Sequence, residues 1–523
     1  MIQDYLRRIA AVCSSAALLL TAPSGLFAGQ GKNLAERAST QTPIKHVVVI
    51  FQENISFDHY FGTYPYATNP QGEPAFHPAD DTPRVNNLLS GGLLDQNPNS
   101  VQPFRLDRSQ AFTCDQNHDY TPEQEAFDHG LMDKFVQYTG TGGSTCDYGH
   151  GTGLVMGYFD GNTVTAWWNY AQHFALSDNF YGTMFGPSTV GALNLAAGTT
   201  SNATLVNGNP SGVIANAADS GVVIGDPDPG YDDCSAATKT HVTVTGTNIG
   251  DLLNSKNLTW GWFQGGFAPS SVSASGVATC ASTSTGIPGT VTDYVPHHNP
   301  FEYFQQSANQ HHLPPSDLGK IGQTDQANHQ YDLSLFYTAI NENMLPAVSF
   351  LKAKALQNGH PGNSDPLDEQ TFLVTAVNAI MSSPYWKDTA IIITYDDSDG
   401  WYDHQMDTVV NQSDASDDAL VAPGSCGTTP AGGNSGRCGY GPRLPLIVIS
   451  GLAKQNYVDS RMTDQSSIIR FIEDNWSLSR IGGDSNDVKA GSLFGFFDFD
   501  QSAPKLLLDP STGEPLKGHG SSK

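Results

Sequence analysis

The sequence predicts an α/β fold: a mostly parallel sheet with helices on both faces, plus a strand-rich insertion. Residues 390–395 are apolar and β-branched without alternation, which is typical of a parallel strand covered on both faces. Comparable strand-like runs, some of them alternating with amphipathic helical segments at 368–381 and 464–476, lie at 44–51, 347–351 and 444–450. This alternation favours a sheet layered between helices.

Residues 1–28 have the composition of a secretory signal. Arg7 and Arg8 give a basic start, an apolar stretch follows, and Ala28 offers a small residue for cleavage. Polar residues and Pro23 break this stretch, whereas a membrane helix needs roughly 20 apolar residues. We therefore expect an exported protein, periplasmic or secreted, with no stable membrane anchor.

Cysteine usage agrees with export. The chain has 7 cysteines, and Cys13 lies inside the predicted signal, which leaves an even number. In an oxidising compartment these are expected to pair, although six cysteines allow 15 pairings. Nearness along the chain suggests Cys114–Cys146, Cys234–Cys280 and Cys426–Cys438. A zinc site is disfavoured because no two cysteines have C-x-x-C spacing.

The formal net charge is −27, which disfavours nucleic acid and anionic membranes as main partners. A local metal ion can still dominate the field of a pocket, so an anionic substrate is compatible with this charge.

The domain organisation follows from composition. We expect one α/β domain over 43–505, with a loop-rich β insertion at about 201–290 that is rich in Ser, Thr, Gly and Asn. Aromatic residues at helical spacing within 164–174 indicate a core helix, and a further helix is expected after Thr121. The polar stretch 509–523 is expected to be disordered.

Acidic residues follow two of the predicted strands. Asp396 and Asp397 end the strand at 390–395, and Glu53 and Asn54 follow the strand at 44–51. Ligands in open α/β sheets bind at the carboxyl ends of strands, and adjacent carboxylates repel unless a cation lies beside them. The sequence therefore favours a metal site over an ordinary acidic turn.

Ser188 is the candidate nucleophile. It lies in Gly186-Pro187-Ser188-Thr189 ahead of a helix-forming stretch, where free N–H groups and the helix dipole favour negative charge. The alternative is that Ser188 only caps the helix.

Four histidines are candidates for binding or protonating an anionic group: His118, His297, His298 and His360. Each lies in a stretch with Pro, Gly or Asn, so a solvated loop histidine is the alternative for each of them.

Three segments resemble a known family: Glu53 to Pro65, Tyr395 to His404, and Gly441 to Ser450. They are similar to the bacterial phosphoesterases that include phospholipases C and acid phosphatases, over roughly residues 43–480. The resemblance implies an alkaline-phosphatase-like core and a phosphoserine route on small phosphorylated substrates. It also implies one divalent ion, with Ca²⁺, Mg²⁺ or Mn²⁺ favoured over Zn²⁺ because all the ligands are oxygens. Carried over by position, the ligands would be Glu53, Asn54, Ser188, Asp396 and Asp397, and the phosphate site would be lined by His118, His297, His298 and His360.

The Ser188 segment separates the branches of that family. The phospholipase C branch has Thr followed by Pro-Asn-Arg there, which this chain lacks, so the sequence favours an acid phosphatase with phospholipase C second. Departures at Ile55, where the family usually has Arg, and at Val190, where the acid phosphatases usually have Pro, remove no proposed ligand. Cationic histidines imply an acidic pH optimum. A protein of another class, which binds phosphorylated ligands without catalysis, is the third hypothesis.

Overall fold

The strand predicted at 44–51 lies inside an eight-stranded sheet in the computed structural model, which describes residues 34–216, 220–406, 408–428 and 436–517. In chain order its strands are β1 His46–Gln52, β2 Ala175–Ser177, β3 Trp260–Gln264, β4 Gln330–Asp332, β5 Val348–Lys352, β6 Thr389–Tyr395, β7 Leu446–Ser450 and β8 Tyr457–Asp459. Across the sheet their order is β4-β3-β5-β1-β6-β7-β2-β8. Strand β7 is antiparallel to its neighbours β6 and β2, whereas the other neighbouring strands pair in parallel. The predicted α/β class with a mostly parallel sheet is confirmed.

Both faces of the sheet centre are covered. Every residue of β1 and β6 is buried, and successive side chains of a strand point to opposite faces. The longer helices are α1 Phe57–Phe61, α2 Tyr120–Phe127, α3 Thr165–His173, α4 Ser188–Ala197, α5 Ile249–Ser255, α6 Ser334–Asn341, α7 Pro366–Ser382 and α8 Ser466–Trp476. Helix α7 starts where the Asp365 carboxylate accepts the N–H groups of Leu367 and Asp368. The predicted helices at 368–381 and 464–476 therefore correspond to α7 and α8.

The expected insertion at 201–290 is only partly separate from the main sheet. A second sheet consists of Ser201–Asn207, Ile214–Ala215, Gly221–Val223, Asp228–Pro229 and His241–Val244. Two short hairpins follow at Ser271–Val272 with Ala278–Thr279 and at Thr283–Gly286 with Gly289–Thr292. Between the second sheet and these hairpins, however, the chain forms β3, which pairs with β4 and β5 in the main sheet. The sequence analysis missed this short aromatic strand because the surrounding region is rich in Ser and Thr.

The prediction of disorder from residue 509 is wrong as far as the structure describes that segment, to Lys517. Asp509 N donates to Glu514 O at 2.8 Å, and Asn169 Nδ2 donates to Gly513 O at 2.9 Å. Main-chain carbonyls of a polar segment can be held by side chains of the domain, which its composition does not reveal. Residues 518–523 lie outside the described residues.

The three predicted disulfides are confirmed: Cys114–Cys146, Cys234–Cys280 and Cys426–Cys438 are bonded. Among the described residues, no helix combines the length and the apolar character that crossing a membrane requires. Disulfides are typical of oxidising compartments. Export stays a prediction, because the signal predicted at 1–28 lies outside the described residues.

Candidate active site

Ser188 is the first residue of α4, and its hydroxyl is buried among oxygen atoms. Ser188 Oγ lies 3.1 Å from Asp397 Oδ2, 3.2 Å from Glu53 Oε2 and 3.4 Å from Asn54 Oδ1. These residues meet because β1 and β6 are parallel neighbours, with Gln52 opposite Tyr395, so the residues that follow the two strands lie side by side. The structure thus brings the candidate nucleophile to both predicted acidic segments.

The Asp396 carboxylate holds the backbone of this site. Its Oδ1 accepts the N–H groups of Asn54 at 3.1 Å and of Asp397 at 2.8 Å. Asn54 has a φ of 59°, a left-handed conformation that Asn tolerates better than most residues. Helix α4 packs closely here, because a Cβ on Gly191 would lie 2.1 Å from Asp396 O. Only a glycine permits this approach of the helix.

Lys352, at the end of β5, is a site residue that the sequence analysis missed. It is fully buried, and its Nζ contacts Glu53 Oε1 and lies 3.1 Å from Asp396 Oδ2. The sequence contained one indication of its role: a lysine stands directly after the strand-like run at 347–351. That β5 lies next to β1 was not readable from the sequence.

The electrostatics of the site are dominated by buried carboxylates. Burial, with the Asp396 carboxylate adding to it, raises the pKa of Glu53 well above its ordinary range, against the opposing effect of Lys352. Burial also raises the pKa of Asp397, and His118 only partly offsets this. The protein itself therefore leaves negative charge in the site incompletely balanced.

His118 is the histidine of the site whose pKa is raised. Its ring lies 3.3 Å from the Asn54 amide, and its Nδ1 is 3.0 Å from Gln116 O and 3.4 Å from Asp399 Oδ1. Burial alone would lower the pKa of His118, but nearby carboxylates, Asp397 first among them, raise it to about 10.

The other three histidines differ in their surroundings. His298 Nδ1 lies 3.1 Å from Glu53 Oε1, and burial, with His297 adding to it, lowers the pKa of His298. His297 instead faces Asp228 and Lys239, at 3.4 Å and 3.2 Å from its Nδ1. The His360 ring lies 5.9 Å from that of His118, and burial lowers the pKa of His360. Of the adjacent pair, His298 therefore contacts a residue of the site, whereas His297 is oriented towards Asp228 in the β-rich region.

Two further acids near Ser188 were missed from the sequence. Asp226 Oδ1 accepts the N–H of Thr189 at 2.8 Å, so the β-rich region contributes an acid to the start of α4. Glu123 accepts from Ser398 Oγ at 2.6 Å and from Gly186 N at 3.1 Å. Burial raises the pKa of Glu123 to about 7. The acidic run around Asp226 was visible, but its position against α4 depends on the fold.

Residues 44–479 match the family model described as Phosphoesterase family. The chain belongs to the Phosphoesterase family. This confirms the resemblance drawn from the three sequence segments.

Several curated proteins align with most of this phosphoesterase. Non-hemolytic phospholipase C of Pseudomonas aeruginosa is 24% identical over 91% of this chain and 60% of its own length. The protein of the same name from Burkholderia pseudomallei is 25% identical over 90% and 60%. Phospholipase C A of Mycobacterium tuberculosis is 24% identical over 91% and 81%. The chain thus spans about 60% of the length of the first two relatives.

Among solved structures, a protein of the alkaline phosphatase superfamily from Vibrio parahaemolyticus is 12% identical over 66% of this chain and 67% of its own, with a TM-score of 0.28. A TM-score this low carries no weight for fold or function.

The family segments of this phosphoesterase meet at a buried arginine. Arg443 Nη2 lies 3.2 Å from Asp58 Oδ1 and 3.1 Å from Asp403 Oδ2, while its Nη1 donates to Asp178 O at 2.9 Å. Asp58, Asp403 and His404 could by themselves resemble a metal site, but the Arg443 guanidinium already contacts both carboxylates. Through Arg443, this cluster connects Asp58 in the segment after β1 with Asp403 in the segment after β6.

The donor set around Ser188 fits a hard divalent ion. Oxygen atoms of Glu53, Asn54 and Asp397 converge on Ser188 Oγ within 3.4 Å, and such ions prefer oxygen ligands. Burial, with the neighbouring Asp396 carboxylate adding to it, raises the pKa of both Glu53 and Asp397, and a bound cation would favour their ionised forms. Asp396 already has protein donors on both oxygens, so its role as a direct ligand stays a prediction.

Proposed function

We propose that this phosphoesterase hydrolyses phosphate esters with Ser188 as the nucleophile. The observation that carries the proposal is the buried Ser188 hydroxyl at the start of α4, with three oxygens of Glu53, Asn54 and Asp397 within 3.4 Å. A serine in this position can attack phosphorus while the N-terminal end of the helix favours negative charge.

One divalent ion would be held by Glu53, Asn54, Ser188, Asp396 and Asp397. When bound, it would lower the pKa of the serine hydroxyl and neutralise charge on a phosphoryl oxygen. The oxygen donor set supports Ca²⁺, Mg²⁺ or Mn²⁺ over Zn²⁺.

The side chains supply the remaining chemistry. Ser188 Oγ forms a bond to phosphorus and gives its proton to Asp397 Oδ2, 3.1 Å away, as the bond to the leaving oxygen breaks. His118, whose pKa the surrounding carboxylates raise, attracts the phosphoryl oxygens and is the histidine that donates a proton to the leaving oxygen. The predicted 297–298 pair is less suited to this step, because burial lowers the pKa of His298 and His297 faces Asp228. Water then cleaves the phosphoserine to release phosphate or its monoester.

Two substrate classes remain, and the comparisons favour the one that the sequence analysis placed second. The three relatives described above are named phospholipase C. The absence of Pro-Asn-Arg after Ser188 is the observation that favours phosphomonoesters. We place phospholipid diesters first. The net charge of −27 favours a zwitterionic headgroup over an anionic one.

We expect the purified protein to cleave phosphatidylcholine faster than a chromogenic phosphomonoester at equal concentration. The measurement is release of phosphocholine from mixed micelles against release of nitrophenol, with the Ser188→Ala variant as the background for both. Faster monoester cleavage would instead identify an acid phosphatase. Hydrolysis of neither substrate would leave the ligand-binding hypothesis.

Metal removal is expected to lower hydrolysis by at least about 100-fold, because a bound ion both activates the nucleophile and stabilises charge on the phosphoryl group. The protein is dialysed at length against EDTA, its metal content is measured by mass spectrometry, and activity is assayed before and after adding Mg²⁺, Ca²⁺ or Mn²⁺. Full activity in a preparation shown to be free of metal would contradict this expectation.

A further inference from the structure

Lys352 is the cation that the protein itself places against the metal-binding carboxylates. It ends β5, is fully buried, and contacts Glu53 Oε1 and Asp396 Oδ2, the latter at 3.1 Å. We propose that Lys352 sets the charge of the Ser188 site so that it is balanced by one divalent ion. This inference rests on the metal site of the proposed function.

In Glu53 and in Asp396, the two carboxylate oxygens have different partners. Lys352 takes Oε1 of Glu53, whereas Oε2 of Glu53 lies 3.2 Å from Ser188 Oγ. On Asp396, Lys352 takes Oδ2 while the backbone takes Oδ1. Lys352 therefore leaves one oxygen of Glu53 available to the ion. It also disfavours coordination of the ion by both oxygens of Asp396.

The formal charges of the lysine and the three carboxylates match one divalent ion. The carboxylates of Glu53, Asp396 and Asp397 contribute −3 and Lys352 contributes +1, so these four side chains together carry −2. The charge of His118 is the same with and without the lysine, so removing Lys352 makes the site more negative by one unit, which favours a trivalent ion over a divalent one.

Stability alone does not account for a lysine in this position. The other residues of β5 are all buried, and Lys352 lies beside the Phe51 ring, 5.1 Å from its centroid. Replacing a buried ion pair by apolar residues is often neutral or stabilising. A charge kept in such surroundings, directly behind two proposed metal ligands, points to a role in positioning those ligands.

The test compares Ca²⁺ and Tb³⁺ binding, by calorimetry on the metal-free full chain, in the wild type, in Lys352→Met, and in Lys352→Met combined with Asp396→Asn. The double variant removes one charge of each sign and restores −2. We expect Lys352→Met to raise the ratio of Tb³⁺ to Ca²⁺ affinity about tenfold or more, because one unit charge at close range acts more strongly on the trivalent ion. The double variant is expected to return to the wild-type ratio.

A purely structural role for Lys352 would lower both affinities together and leave the ratio unchanged, and that result would overturn the proposal. If Lys352→Met fails to fold, Lys352→Gln, which keeps a polar group at the end of β5, replaces it: a raised ratio supports the proposal and an unchanged ratio overturns it. A wild-type protein that binds neither ion also overturns the proposal.

Hydrolysis is assayed separately. A shifted ratio without wild-type hydrolysis would reject the proposed function alone, and wild-type hydrolysis with an unchanged ratio would reject the Lys352 inference alone.

Discussion

Ser188→Ala is expected to lower kcat/KM for phosphate ester hydrolysis by at least about 10³-fold while leaving the fold intact, since loss of a nucleophile removes a covalent step. Within the described part of the chain, the hydrogen-bond partners of the hydroxyl are the side-chain oxygens of Glu53, Asn54 and Asp397. Its loss should therefore change the free energy of unfolding by no more than about 1 kcal/mol. Activity and thermal unfolding are measured on the same preparation.

Ser334→Ala is the matched control, because Ser334 is also the first residue of a helix, α6, but lies on the surface away from the site. This variant should keep wild-type activity. Acid quenching during turnover should trap the labelled phosphoryl group of the substrate, with its headgroup if the substrate is a diester, on the wild type and none on Ser188→Ala. A Ser188→Ala variant that stays folded and hydrolyses at the wild-type rate would refute the nucleophile assignment.

Asp397→Asn is expected to abolish activity and, in the metal-free protein, to raise stability by on the order of 1 kcal/mol or more. Burial raises the pKa of Asp397 well above its ordinary 3.8, so in the metal-free protein the ionised form destabilises the fold. The neutral amide removes that cost but supplies a weaker metal ligand. Metal-dependent stabilisation should therefore disappear in this variant while the metal-free melting temperature rises.

The pH dependence provides a second measurement of the same effect. A carboxyl group whose pKa is raised on folding adds most stability below its unfolded pKa of 3.8, and this contribution is lost as pH rises through the folded value. The stability gained by Asp397→Asn should accordingly grow as pH rises above about 4. Chemical unfolding of both metal-free proteins across pH measures this difference.

Asp58→Asn serves as a control, because its expected effect on stability is opposite to that of Asp397→Asn. Burial opposes ionisation of Asp58, but His404 and Arg443 outweigh it and lower the pKa of Asp58. Neutralising this carboxylate should therefore destabilise the metal-free protein at neutral pH. If Asp58→Asn and Asp397→Asn shifted stability in the same direction, the electrostatic account of the Ser188 site would be wrong.

The parts of the fold that were predictable from sequence are those specified locally. Continuous apolar runs identified β1, β5, β6 and β7 because a strand buried on both faces needs apolar residues at every position. The start of α4 at Ser188 followed from a Gly-Pro-Ser turn before a helix-forming stretch.

The parts that were missed depend on contacts between distant segments. Lys352 enters the site only because β5 lies beside β1, and no local pattern specifies that order of strands. Asp226 lies in the region interpreted as an insertion, yet it accepts a hydrogen bond from Thr189 of α4. Divergence of His297 and His298 likewise follows from their different neighbours, Asp228 and Glu53.

The pairing of Gln52 in β1 with Tyr395 in β6 has a consequence for when this protein can act. The reactive centre needs Glu53, Ser188 and Asp397 together, so it cannot form before the chain has been synthesised as far as Asp397. Closing such long separations is slow compared with forming local structure. The reactive centre therefore forms only after β1 and β6 have paired, so chains in which that pairing is missing are expected to be inactive.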